Sequence, residues 1–148
     1  MKKFELTAEF VTNVFGKKLF RIKALVAFGT VEKGELGGFI EKEDNLSHDS
    51  NAWVFGNARV SGNAQVSGNA DFAVVEGFGR YFRATTFFRC KDKILRVQCG
   101  CFYGDLAQFR EIVKETHGDS KYAKEYLAIA DLMELHFSDE EEKQEVAE

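Results

Sequence analysis

The chain has 148 residues and a formal net charge of −4, with 45% apolar residues, 15 Phe and no Pro. That length suits one domain, or one domain with a small appended module, and no run approaches 18 apolar residues, so no segment reads as a membrane-spanning helix. The charge is unevenly placed: Ser138–Glu148 holds six acidic residues against Lys143 and contributes −5, which leaves the rest of the chain at +1. The body is therefore not acidic enough to imitate nucleic acid, and the tail reads as a solvated, disordered end. Three Cys, an odd number, with no apolar core behind Lys2-Lys3, point to free thiols in the cytoplasm rather than to a secreted disulfide framework.

In chain order, Phe4–Phe28 alternates loosely around Asn13-Val14-Phe15-Gly16, which predicts a β-hairpin of Glu9–Val14 and Lys18–Ala24 with Phe20, Ile22 and Ala24 facing inward. Gly37-Gly38 marks a sharp bend or a close backbone approach, in an irregular first coil. The organising stretch follows. Asn51–Asp71 repeats every six residues, with Ala at 52, 58, 64 and 70, then Val54, Val60, Val66 and Phe72, and Gly-Asn at 56–57, 62–63 and 68–69. A short fixed period signals stacked parallel β coils. Gly-Asn tolerates positive φ and marks the corners, while Ala and Val two positions apart point to the coil interior. Arg59, Gln65 and Asp71 face water, and His48 occupies a degenerate first repeat.

After Phe72 the period ends. Ala73–Glu76 extends a strand, and a second hairpin is predicted from Tyr81–Cys90 and Ile94–Cys101. With Asp92-Lys93 as its loop, Cys90 faces Leu95, Phe88 faces Val97, Thr86 faces Cys99 and Ala84 faces Cys101. Arg83, Thr85, Phe87, Arg89, Arg96 and Gln98 then lie on the outward face; Asp-Lys is a poor tight turn, so a longer loop is also open. Two helices follow. Asp105 caps the first, whose stripe is Leu106, Phe109, Ile112 and Val113 and which ends at His117-Gly118. Asp119 or Ser120 caps the second, with Tyr122, Tyr126, Ile129, Met133 and Phe137 on one face. The pair is antiparallel and covers the apolar face of the hairpin.

The V-x-G-N-A-x pattern resembles the hexapeptide repeat of left-handed β-helix proteins, where three hexads make a triangular coil of 18 residues. The resemblance implies that Val54 stacks under Phe72 and Ala52 under Ala70. Across residues 4–137 the chain also resembles a group of phage- and prophage-encoded hexapeptide-repeat proteins. That likeness lies in Leu19–Leu25, Gly34–Glu41, the hexads, Cys99–Gly104 and Lys114–Leu127. The expected fold is α+β and mainly β: a short left-handed β-helix capped by an N-terminal hairpin and by a C-terminal hairpin with two antiparallel helices. The expected division is 1–77 for hairpin and β-helix, 78–137 for the hairpin–helix module and 138–148 for the tail.

The candidate site is the outward hairpin face, with Arg80, Tyr81, Arg83, Phe87, Arg89 and Arg96. Basic side chains interleaved with aromatics suit phosphates and bases, or an acidic protein. A second, weaker candidate is an anion site at His117, Gly118 and Lys121, at a helix N-terminus. His48 is the one histidine placed as hexapeptide acyltransferases place a general base. Cys99, Cys101 and His117 lie near enough in sequence to converge, but free Cys behaves more as a small buried hydrophobe, and no metal, cofactor or catalytic residue is assigned. The expectation is a non-enzymatic phage accessory protein in the bacterial host cytoplasm. It binds a host or phage protein or protein–nucleic acid complex, without a membrane, as a homo-oligomer (dimer or trimer), with an anti-CRISPR-like inhibitor of host defence as a sub-case. An acyltransferase-related or small-ligand-binding protein and a virion component are the alternatives.

Overall fold

The computed structural model describes residues 2–13, 15–68, 71–79, 83–99 and 102–138. It is an α+β fold, mostly strand, with two open four-stranded sheets and two helices. In the first sheet β1 (Phe4–Thr12) and β2 (Lys18–Ala24) form the N-terminal hairpin, β3 (Leu36–Ile40) lies antiparallel to β2, and β4 (Arg59–Val60) lies parallel to β3. The hairpin turn is set by Asn13, whose Oδ1 accepts from the backbone N–H groups of Phe15 and Lys17 at 2.9 Å each. Ile22 and Ala24 face inward as expected, but Leu19 is fully buried and Phe20 only half-buried. A register shift between Arg21 and Lys23, where β2 meets β3, breaks the alternation.

The hexads stack in parallel on the segment before them, with three pairs 20 positions apart: Arg59 on Phe39, Val60 on Ile40, Val66 on Leu46. Ala52, Val54, Ala58, Val60, Ala64 and Val66 are all buried, and Gly56 and Gly62 turn the corners with φ of 62° and 64°. Gly37-Gly38 is a close approach: a Cβ at Gly37 would lie 2.5 Å from Val54 O, and one at Gly38 2.6 Å from Ala58 O. The expected 18-residue stack of Val54 under Phe72 is not what forms. Phe72 opens β5 (Phe72–Phe78), which pairs antiparallel with β6 (Arg83–Arg89); its supposed companion Ala70 lies outside the described residues, as does the tail from residue 139.

One buried amide ties the stack together. Asn45 closes a short 3₁₀ turn, Glu43–Asn45, and is 0% exposed. Its Oδ1 accepts from Glu41 N and Lys42 N, and its Nδ2 donates to Gly62 O and Ala64 O. All four hydrogen-bonding positions of the side chain are therefore filled, two on each rung.

The second sheet runs β5-β6-β7-β8, with β7 (Leu95–Cys99) and β8 (Phe102–Asp105). The hairpin register differs from the expected one by a single residue: Arg89 faces Leu95, Phe88 faces Arg96, Phe87 faces Val97 and Thr85 faces Cys99. The cause is the loop. Lys93 adopts φ 67°, and Lys93 N–H donates to Cys90 O while Cys90 N–H donates to Ile94 O. That makes a three-residue loop, Lys91-Asp92-Lys93, with its last residue left-handed. A one-residue slip sends every side chain to the other face. Phe87, Val97, Leu95 and Cys99 therefore share a core with the helices, and Phe88 and Cys90 join the core under the hexads. β8 has no counterpart among the predicted elements; four residues are too few for alternation to signal a strand.

The helices are α1 (Leu106–His117) and α2 (Lys121–His136). Asp105 caps α1 in a box with Gln108, Gly118 ends it, and Ser120 caps α2 through Ala123 N. Phe109 and Val113 of α1 and Ala123, Tyr126, Ile129, Ala130 and Met133 of α2 bury against Phe87 and Val97; Ile112, expected in the stripe, is exposed. The result is three layers around two cores: first sheet with hexads, second sheet, helix pair. The strip 59–66 is the seam between the first two. Arg59 N–H donates to Thr86 Oγ1, Gln65 N–H to Arg89 O, Lys91 N–H to Asn63 O, and Ser61 Oγ to Gln98 Oε1. The expected boundary at 77–78 falls within β5, and because Phe88 and Cys90 belong to the first core the two modules are not separately packed.

Candidate binding surfaces

The register decides what becomes of the predicted basic face. Phe87 is 0% exposed, with its ring edge-on to Phe109 at 5.9 Å, so it is a core residue and not a stacking platform. Arg83 and Arg89 sit on its side of the sheet, at opposite ends of β6, which separates them by about 20 Å at ~3.3 Å per residue. Arg96 projects from the other side, opposite Phe88. Arg89 is already engaged: its Nε lies 3.4 Å from Asp71 Oδ1, its NH2 group donates to Phe137 O, and its guanidinium covers the Phe137 ring at 5.2 Å. Arg96 is paired with Asp92, which holds its proton still more firmly than usual and pulls the Asp92 carboxyl below its ordinary range. Arg80 and Tyr81 lie outside the described residues. The described Arg residues of the set therefore do not converge.

The second predicted site is an interhelical joint. His117 packs its ring on Tyr126 with centroids 5.9 Å apart, Gly118 N–H donates to Lys114 O, and Ser120 N–H donates to His117 O. Lys121 stands exposed on the first turn of α2. Tyr126 is the hub here. It touches Phe109 and His117, its hydroxyl donates to Phe78 O at 3.4 Å, and burial pushes its ionisation up to about 12, with Cys99 adding to the effect. Cys99 accepts from Thr85 Oγ1 at 3.1 Å. Burial raises the Cys90 thiol, as expected of a thiol buried as a hydrophobe. Cys101 lies outside the described residues, and no His, Cys, Asp and Glu cluster able to hold a metal occurs among the described ones.

His48 is locked into structure. Its ring stacks on Phe4 at 4.2 Å, and Lys3 N–H donates to Nδ1 at 3.0 Å, which leaves the proton on Nε2 facing Glu43 Oε1 at 3.1 Å. Lys3 itself is buried. Its Nζ donates to Ser50 O and Ala52 O and lies over the Phe28 ring, and desolvation lowers its ionisation. This imidazole has both nitrogens and one face occupied, which leaves little of it to take a proton from a substrate.

A surface that the residue pattern does not announce lies where the two ends of the helix pair meet the second hairpin. A shallow groove of about 380 Å³ is lined by Ile94, Leu95, Leu106, Ala107 and Phe137, with Asp105 and Glu134 at its polar edge. Ile94 stands 44% exposed beside the loop. Its sequence signal is faint: an apolar residue directly after a charged turn, and an aromatic residue at the end of a helix.

No family model matches the chain, and no curated protein or solved structure is significantly similar to it.

Proposed function

We propose that this chain is a non-enzymatic phage accessory protein that binds a host or phage macromolecule through its C-terminal module. An anti-CRISPR-like inhibitor of a bacterial defence system, acting in the host cytoplasm, is the sub-case favoured by the resemblance to phage-encoded proteins. The observation that carries the reading is the apolar surface of that module: Ile94, Leu132 and Leu135 are 44%, 54% and 60% exposed, while the histidine best placed for acyl transfer is held on two sides. Phe10, Phe15, Leu36 and Phe55 are as exposed in the N-terminal part, so the choice of the C-terminal module rests on the groove beside Ile94. No helix among the described residues is long and apolar enough to cross a membrane.

Within this proposal the hexads are a remnant of a left-handed β-helix. The parallel stack supports that reading, with a 20-residue offset two longer than the coil of the hexapeptide family. A homodimer or homotrimer would cover the open end of so short a stack, and sedimentation equilibrium measures it. The functional test is tagged capture from phage-infected cells, followed by reconstitution with the purified candidate partner. The expected outcome is one stoichiometric partner and no change in Tm with millimolar acyl-CoA or nucleotide. A rise in Tm with acyl-CoA would turn the assignment to the acyltransferase class, and recovery in purified particles would turn it to a virion component.

A further inference from the structure

We infer that the groove between the β6–β7 loop and the helix ends is a docking site for a cationic peptide segment of a partner protein, one apolar side chain flanked by Lys or Arg. The inference rests on the macromolecule-binding reading above and specifies the partner's chemistry.

Three observations carry it. The groove floor is apolar, built by Ile94, Leu95, Leu106, Ala107 and Phe137, and its size suits one or two side chains rather than a folded surface. Its polar edge is acidic, with Asp105 and Glu134. Glu134 is shared with Arg110, whose NH2 group lies 2.8 Å from Glu134 Oε1 and 2.9 Å from Asp131 Oδ1, so two carboxylates share one cation there. The described chain ends at Ser138, next to the groove-lining Phe137, and the ten residues beyond carry six acidic groups against Lys143. Asp105 caps α1 through Gln108 N and Glu134 shares Arg110, so the excess negative charge on this side is that of the sequence following Ser138. The nearby arginines do not offset it, because Arg89 is held by Asp71 and Phe137 and Arg96 by Asp92. The basic residues left in the neighbouring loop are Lys91 and Lys93, both exposed.

Two other occupants are weaker. The chain's own tail would bring six acidic groups against Asp105 and Glu134, with Val146 and Ala147 as its only apolar residues. Nucleic acid would meet the same carboxylates, and the Phe87 ring expected to stack on a base is buried. The acidic tail is better suited to drawing a cationic segment toward the groove, which makes the encounter salt-dependent.

The test uses the full chain. A ¹⁵N-labelled sample is titrated with the peptide Lys-Arg-Leu-Arg-Lys and with a counterpart carrying Glu at each basic position. Backbone shifts are expected at Ile94, Leu95, Leu106 and Ala107 with the basic peptide alone. Affinity is expected to fall about tenfold or more on Ile94→Asp, on Glu134→Lys and on removal of residues 139–148, and to weaken as salt rises past about 0.3 M. Circular dichroism and Tm show whether each variant is folded; Glu134→Lys is an exposed change and serves if Ile94→Asp unfolds. Equal or tighter binding of the acidic peptide overturns the inference, as does stronger binding on tail removal, which would make the tail the occupant. Shifts confined to another surface, or none at millimolar peptide, overturn it as well. If the reconstituted partner binds Ile94→Asp and Glu134→Lys unimpaired, the docking site falls while the function stands; if no partner is found, the function falls first.

Discussion

The two cores are held by different kinds of force. Under the hexads, backbone stacks on backbone: rungs 20 residues apart approach so closely that Gly37 and Gly38 have no room for a methyl group, and the amide of Asn45 bonds both rungs. Between the second sheet and the helices, ring packs on ring: Phe87 against Phe109, Phe109 against Tyr126, Tyr126 against His117. The first core fixes its register through one buried amide and the backbone rungs it joins. The second is fixed by side-chain shape and by a three-residue loop. A buried polar tie is intolerant of removal, whereas an aromatic core tolerates exchange of similar volume.

Four measurements break or sharpen that contrast. Phe87→Ala should cost about 4 kcal/mol in urea unfolding, as for a buried Phe truncated in a packed core, and Phe87→Leu much less; an exposed ring would give almost no change for either. Asn45→Ala should cost about 3 kcal/mol, since it strands Lys42 N–H and the carbonyls of Gly62 and Ala64, while Glu41 N–H keeps Val60 O. Here, unlike at Phe87, the near-isosteric Asn45→Leu should be no milder, because the deficit is polar.

The third concerns pH. The Tyr126 hydroxyl ionises at about 12 in the fold, against about 10 in an unfolded chain. Below the lower value both states hold the proton and stability is intact. As pH rises from there, the unfolded chain loses its proton first, so up to about 2 kcal/mol of stability is lost on the way to 12. Tyr126→Phe should flatten that alkaline limb in thermal melts, although the raised thiol of Cys90 and the raised phenol of Tyr103 will leave some slope. The smallest effect is at the loop. Lys93 holds a left-handed φ of 67°, and Lys93→Gly should stabilise by about 1 kcal/mol by relieving it. That gain would confirm the loop that sets the hairpin register.

The same contrast explains what could be read from the residues. The hexads announce themselves because Gly-Asn at the corners and Ala and Val inside are chemically distinct; Gly56 and Gly62 take the positive φ their type permits, and every described Ala and Val of the repeat is buried. The caps at Asp105 and Ser120 and the stop at Gly118 are legible for the same reason. The hairpin register is not. A lysine in the left-handed region carries no chemical mark, so the loop reads one residue short. Alternation gives no correction, because Thr85, Thr86, Phe87 and Phe88 are all buried, two on each face of a sheet covered on both sides. From that single slip followed the outward basic face, whose Phe87 is in the core and whose Arg96 lies across the sheet. The groove was hidden for another reason: Leu95 and Leu106 share a side in either register, but nothing in the residue pattern marks the gap left between the loop and the helix ends.

Lys3 carries a consequence for the order in which the molecule assembles. Its ammonium is bound by Ser50 O and Ala52 O, the latter 49 residues further along the chain. Lys3 is synthesised well before either acceptor exists. The N-terminal hairpin can pair β1 with β2 early, at the cost of a short loop, and Lys3 O already accepts from Leu25 N–H, but the Lys3 ammonium has no acceptor until Ser50 and Ala52 arrive. Closing a loop of that length costs more chain entropy than closing the hairpin turn. In the interval, Phe4 and the stem of Lys3 lack their native cover. The first core is therefore completed by the return of the earliest residues onto the repeat, and substitutions at Lys3 should speed unfolding more than they slow refolding, whereas those in β2, whose partners are close at hand, should slow refolding more.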